Sequence, residues 1–466
     1  MKKHQLQDTI CAPATAAGVA AIAIIRLSGN KATDIADGMF KPAGGQKELA
    51  DFSSHKMIFG HIVREESLID EVLLTRFVAP HSYTGEDMVE VSCHGSPYIQ
   101  QQILNLMIEL GARMAHPGEF TMRAFLNGRM DLSQAEAVAD LISSNSEASR
   151  KMAMNQMRGH FSKRIMELRQ KILEFSALIE LELDFSEEDV EFANRDDLLD
   201  LLNETEAEIN ALRDSFSMGN VLKLGVPVAI IGKPNVGKST LLNAILNEER
   251  AIVSEIPGTT RDAIEDTITI GGVAFRFIDT AGLRESEDTI EKVGIGRTYE
   301  KIQQASIILY IFDASQTSLD EIAETMKEFR ERVGDENKRL ILIANKIDLM
   351  EEIPHHFRSL VDLETIFVSA KRKENISMLT ESLLKTVEQH PEESRDLLVT
   401  NSRHFEALTG AGKAIEAIRK GITDQIPGDL LSIDLRTALH HLGSITGEVT
   451  SDEILGEIFG RFCIGK

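Results

Sequence analysis

The stretch from Gly232 to Thr240, GKPNVGKST, decides how the middle of this chain folds. It stands between an apolar run, VAII at 228–231, and a leucine-rich run, LLNAIL at 241–246. The pattern G-x-x-x-x-G-K-[ST] in that setting predicts a buried strand, a glycine-rich turn and a helix. Gly232 and Gly237 let successive backbone N–H groups curl around phosphate at the helix N-terminus, where the positive end of the helix dipole also lies. Asn235, Val236, Gly237, Lys238, Ser239 and Thr240 are the expected nucleotide contacts. Lys238 neutralises the β/γ oxygens and counts as catalytic, while the Ser239 hydroxyl reaches Mg²⁺.

Downstream, NKID ends an apolar run, and its carboxylate, Asp348, can accept two hydrogen bonds from the N1–H and 2-amino groups of guanine. Adenine lacks those donors and would leave a buried acid unpaired, so the site reads GTP and refuses ATP. Asn345 and Lys346 complete the base pocket, and the backbone of Ser369, Ala370 and Lys371 is expected at the guanine O6. Between the two motifs lies DTAG: Asp279, Thr280, Ala281 and the pivot Gly282 are placed to sense the γ-phosphate, Asp279 through water on Mg²⁺. Upstream of it, GTTRD (258–262) offers Thr260 to Mg²⁺. In chain order these motifs, on strands such as VPVAIIG, FRFIDT, IILYIFDA, LILIANK and IFVSA, indicate a Ras-like α/β GTPase over residues 216–380. Leu283 occupies the place where Ras-like proteins usually carry a water-orienting glutamine, so hydrolysis must draw on another group.

The rest of the 466 residues leaves room for about three domains at ~150 residues each. Residues 1–120 alternate short β-rich runs with an apolar helical stretch, an α+β pattern. Residues 121–215 become helical, with Ile165, Leu168, Ile172, Phe175 and Ile179 along one face, and helical character returns over 381–466. The arrangement is that of an all-α domain into which the GTPase unit is inserted. With 50 Lys and Arg against 74 Asp and Glu the net charge is -24, so a nucleic-acid substrate needs a local basic patch or a basic partner. No run approaches the ~18 apolar residues of a membrane span, and none marks a secretory leader. Cys11, Cys93 and Cys463 lie far apart, as in a chain of the reducing cytoplasm. The closing RFCIGK has glycine and lysine where a prenylation box needs other residues.

The ordered set RLSG, YTGEDMVE, HGSP, PGEFTMRAFLNGRMDLSQAEAVADLI, GKPNVGKST, EIPGTTRD, DTAGLR and FCIGK resembles the tRNA modification GTPase MnmE (TrmE) family along essentially the whole chain. The resemblance accounts for the C-x-G-K ending without a lipid. It implies a homodimer with a folate-binding and dimerisation domain over 1–120, a helical domain, and the inserted GTPase. It implies a FAD-containing partner, MnmG, in a heterotetramer or larger complex. Together they place an aminomethyl or carboxymethylaminomethyl group on C5 of the wobble uridine, position 34, of certain tRNAs. The carbon comes from 5,10-methylene-tetrahydrofolate, with 5-formyl-tetrahydrofolate as the alternative ligand.

By the same resemblance, Asn235, Ser254, Ile256 and Thr259 hold K⁺, with Ser254 and Thr259 also at the nucleotide, and Glu291 orients the water that Leu283 cannot. Dimerisation of the GTPase domains then seals the loop around the cation and activates a potassium-stimulated GTPase. Arg26, Glu90, Arg129 and Lys466 bind folate, a carboxylate suiting the pterin donors and cations the glutamate tail. Position 129 is commonly lysine in the family; arginine keeps the charge and changes the geometry. The acidic run LDFSEEDVEF (183–192) reads as a solvated face, or else as a surface for MnmG. A ribosome-assembly GTPase, the competing class, would carry a basic RNA-binding appendage, which the helical end lacks.

Overall fold

The computed structural model describes residues 8–45, 48–184, 195–248, 266–278, 303–333, 338–350, 364–388, 398–424 and 426–465. It divides into two compact units. One combines Met1–Ala139, Gln156–Thr205 and Gly410–Lys466, and the other Asp140–Asn155 and Glu206–Thr409. Among the described residues no helix is long and apolar enough to cross a membrane.

The first unit opens on a sheet built from β1 (Ile10–Pro13), β2 (Ile22–Ser28), β3 (Phe40–Pro42), β4 (Met57–Arg64), β5 (Ser67–Phe77), β6 (Met88–His94) and β7 (Arg113–Met114). The order across the sheet is β3-β4-β5-β6-β2-β1-β7, antiparallel except for the β1–β7 pair. Successive side chains of a strand point to opposite faces. Ile25 and Leu27 on β2, with Val89 and Val91 on β6, therefore bury themselves together with Ile35, Met39, Ile103 and Met107 of the helices Ala32–Met39 and Pro97–Glu109. The same alternation sends Arg26 and Glu90 to the other face, and the β2–β6 register sets them directly opposite each other.

A fully buried guanidinium holds the base of this sheet. Arg123, on the helix Glu119–Leu126, donates from Nη2 to Asp8 Oδ1 at 2.7 Å and Glu119 Oε1 at 2.9 Å, and from Nη1 to both Glu86 oxygens at 3.2 Å. Burial pushes the Glu119 carboxyl upward, but Arg113, the His116 N–H and Arg123 outweigh it and hold the acid below the usual carboxylate range. Removing one member leaves buried carboxylates uncompensated. Arg123→Met is thus expected to lower stability by about 3–5 kcal/mol, read as a shift of the urea midpoint; a loss below about 1 kcal/mol would show the cluster to be dispensable.

Helices complete the unit. Ile165, Leu168, Ile172, Phe175 and Ile179 are all buried on the long helix His160–Asp184, which runs against Gly428–Thr446. The last helix, Asp452–Gly460, is capped by the Ser451 side chain and places Leu455 and Phe459 against Met122 and Leu132.

The second unit carries a sheet of β8 (Val226–Ile231), β9 (Asp266–Ile270), β10 (Val273–Phe277), β11 (Ile307–Asp313), β12 (Arg339–Asn345) and β13 (Thr365–Phe367). The order is β13-β12-β11-β8-β10-β9, parallel except for the β9–β10 hairpin. All of β11 is buried, as expected of a strand covered on both faces. The helices Lys238–Glu248 and Ile376–Glu388 supply Leu241, Ile245, Leu379 and Leu383 to the main core. Chain order reverses at β8, with β10 on one side and β11 on the other, which opens a crevice beyond the carboxyl end of β8.

Candidate functional site

The turn 232–237 leaves β8 at that crevice and enters the helix Lys238–Glu248. Gly237 has φ +101°, and a Cβ on it would lie 2.4 Å from the Asn345 Nδ2, so only glycine fits between this turn and β12. Asn235 is also left-handed, at φ +62°, and is exposed. Lys238 Nζ donates to the Gly232 and Lys233 carbonyls, both at 2.8 Å, which folds the ammonium back over the crown of the loop. Val236 is buried, Ser239 half-buried and Thr240 exposed.

The base pocket is fastened to this turn by one amide. Asn345, buried at the carboxyl end of β12, donates from Nδ2 to the Val236 carbonyl at 2.8 Å. Its Oδ1 accepts from the Ala370 N–H at 3.0 Å. The phosphate turn and the 369–371 loop are thus tied through a single side chain. Ser369 Oγ donates to Asp348 Oδ1 at 2.7 Å and accepts from the Arg372 N–H at 3.1 Å, which orients the carboxylate expected to read guanine. Lys371 is exposed beside them.

Lys346 adopts φ +67° and pairs with Asp313 Oδ2 at 2.8 Å. Asp313 closes β11 and also accepts from the Ser315 N–H at 3.0 Å and Oγ at 2.6 Å. Burial pushes its pKa up, but Lys346 and Ser315 prevail and hold the carboxyl below its ordinary value. Asp313 thereby holds the Lys346 ammonium at the end of β12. Its only signal was an acid ending the run IFD, and nothing in the chain order announced that Lys346 would be its partner.

Of the other expected nucleotide and cation positions, Ser254, Ile256, Thr259, Thr260, Asp279, Thr280, Ala281, Gly282, Leu283 and Glu291 lie outside the described residues. So do Lys466 and most of the acidic run 183–192. Among the described residues no cluster of three or more His, Cys, Asp or Glu side chains is placed to hold a metal. In P-loop proteins magnesium draws instead on a hydroxyl, for which Ser239 is the expected residue, and on the phosphates themselves.

A second site lies on the open face of the first unit's sheet. A cavity of about 510 Å³ is lined by residues that include Phe77, Tyr83, Met88, Glu90 and Arg129. Arg26 donates from Nε and Nη2 to a single oxygen, Glu90 Oε1, at 3.0 and 2.8 Å, and its guanidinium lies over the Tyr83 and Phe120 rings. A half-buried acid and two aromatic rings inside, with Arg129 at the mouth, suit a flat aminopyrimidine carrying an anionic tail. The carboxyl-terminal tail closes in from one side. Gly465, at φ +97°, would place a Cβ 2.0 Å from the Pro13 carbonyl, and Arg26 Nη1 donates to the Gly465 carbonyl at 3.4 Å. These contacts hold Gly465 of the C-x-G-K ending against β1 and β2. Cys463 itself is exposed.

Two family models match: the MnmE helical domain over residues 132–463, and the GTP-binding protein TrmE N-terminus over residues 9–129. Curated relatives include the tRNA modification GTPase MnmE of Christiangramia forsetii, 52% identical across 99% of this chain and 100% of its own length. The protein of the same name from Flavobacterium psychrophilum is 50% identical over 98% and 99%, and that of Bacteroides fragilis 52% over 99% and 100%. Among solved structures, the G domain of the T. maritima FeoB iron transporter aligns at 24% identity with 35% of this chain and 99% of its own, with a TM-score of 0.26.

Proposed function

The chain belongs to the MnmE family of tRNA modification GTPases, and from that membership we propose the chemistry it performs. It hydrolyses GTP to GDP and phosphate. Acting as a homodimer with the FAD-containing MnmG in the cytoplasm, it installs an aminomethyl or carboxymethylaminomethyl group on C5 of the wobble uridine of certain tRNAs. The observation that supports the nucleotide reading best is the Asn345 bridge, which couples the phosphate turn to the guanine-reading loop through two hydrogen bonds. Lys238 is poised at the loop crown, where a γ-phosphate would exchange for the carbonyls it now contacts.

For folate, the Arg26–Glu90 pair, Arg129 and Lys466 form the proposed binding set. Because Arg26 uses only one Glu90 oxygen, the second makes no hydrogen bond among the described residues and can accept from a pterin. A one-carbon tetrahydrofolate supplies the carbon when bound. An acidic chain reaches tRNA through its partner, since a net charge of -24 offers little bulk attraction to phosphate. Mass spectrometry of tRNA nucleosides from cells lacking this chain is expected to show loss of the modified wobble uridine. A profile identical to that of the parent cells would remove the reading.

Potassium supplies the positive charge that other GTPases draw from an arginine. Asn235, Ser254, Ile256 and Thr259 are its proposed ligands, and Asn235 already presents its exposed amide from a left-handed turn beside the phosphate site. Single-turnover hydrolysis is expected to be at least about tenfold faster in potassium than in sodium. Equal rates would end the cation assignment.

A further inference from the structure

The cavity of the sheet domain sorts its lining by depth. Ser82 and Met88 are buried, and Phe77, Tyr83 and Glu90 are half-buried. His55, His81 and Arg129 are exposed at the mouth. The folate reading above uses Glu90 within and Arg129 at the rim, and leaves both histidines without a role. Resting on that reading, we infer that His55 and His81 extend the rim of hydrogen-bond donors around Arg129 outward and select folates carrying several γ-linked glutamates over the monoglutamate.

His55 is built into place. Its backbone sits at φ +66°, uncommon for any residue but glycine, and its N–H donates to the Arg76 carbonyl at 2.8 Å. The ring stands edge-on to Phe77, with centroids 5.1 Å apart and planes at 86°. Ser54 Oγ accepts from the Val78 N–H at 3.1 Å and lies 2.8 Å from His55 Nδ1. In the tautomer that carries the ring hydrogen on Nε2, the hydroxyl donates to Nδ1 while accepting from Val78, and the imidazole shows a donor to solvent at the cavity mouth. A fixed donor is what a carboxylate needs, whether or not the ring is protonated.

Arg129 carries no ion pair among the described residues, so the rim offers a guanidinium and two imidazoles to an incoming anion. A cavity of about 510 Å³ is the size that encloses one drug-sized ligand, so residues added to a glutamate chain emerge at this rim. Each added γ-linked glutamate brings one more α-carboxylate. A chain of net charge -24 repels polyanions in general, so any preference for more carboxylates has to come from local donors such as these.

The test is calorimetric titration of the full chain with mono- and triglutamyl 5-formyl-tetrahydrofolate at low salt. The triglutamate is expected to bind about tenfold tighter, a margin that shrinks as salt rises. His55→Asn with His81→Gln is expected to bring the ratio to within about twofold of one. Asparagine is chosen at position 55 because it tolerates the left-handed backbone. His81→Gln alone, at an exposed site, is expected to reduce the ratio about threefold and guards against misfolding of the double variant. A ratio near one in the unmodified chain, or a ratio that the substitutions leave unchanged, overturns the inference while the folate reading stands. Failure to bind either form overturns both.

Discussion

Replacing Asp348 with asparagine is expected to weaken GTP binding by about 10²–10⁴-fold and to admit xanthosine triphosphate in its place. Two hydrogen bonds from guanine to a carboxylate are each worth about 1.5–3 kcal/mol, and the amide of asparagine meets the guanine 2-amino group with a second donor. Xanthine carries a carbonyl at that position, which the amide can satisfy. The substitution is isosteric, and its Oδ1 can still accept from Ser369 Oγ, now 2.7 Å from Asp348, so the loop keeps its shape. Competition binding with the two nucleotides measures the change. Unaltered GTP affinity would take Asp348 out of the base pocket and with it the guanine assignment.

Glu291→Ala is the second large effect: turnover is expected to fall by about 10²–10⁴-fold while GTP affinity holds. Leu283 cannot hydrogen-bond to water, and the family resemblance gives the water-orienting role to Glu291, farther along the same segment of chain. Both residues lie outside the described ones, so kinetics must decide the assignment. Single-turnover hydrolysis, paired with equilibrium binding of GTP, separates loss of chemistry from loss of affinity. Normal turnover in the variant would return Glu291 to the charged surface.

The strand, turn and helix around GKPNVGKST and the buried strand before NKID were legible in the sequence because their parts are local. A phosphate turn needs glycines at fixed offsets between a strand and a helix, and a guanine reader needs an acid just beyond a buried strand, so both are written within a few residues. The pairing of Lys346 with Asp313 was not legible. It depends on β11 and β12 lying side by side in parallel, which sets Asp313 opposite Asn345. The cavity in the first unit was illegible for the same reason. Arg26 and Glu90 are 64 residues apart and meet only because the β2–β6 register makes them neighbours. Their place in the folate set came from resemblance, whereas the pairing came from the register. His55 and His81 had no motif at all, since a mouth is a property of the closed sheet and its loops. The buried run at 165–179 was legible as a packing face, and its partner, the helix Gly428–Thr446, was not.

The carboxyl-terminal tail ties two parts of the molecule separated by 439 positions, Arg26 and Gly465. On the ribosome, the first strands therefore emerge long before the segment that covers β1 has been synthesised. Until then Met122 and Leu132 await Phe459 and Phe462. Loop closure over so long a span is slow rather than prohibitive, so the nascent amino-terminal sheet must persist half-finished, exposed to chaperones and proteases, throughout elongation. Completion of this packing is thereby a late event, reached only once the carboxyl-terminal helix has left the ribosome.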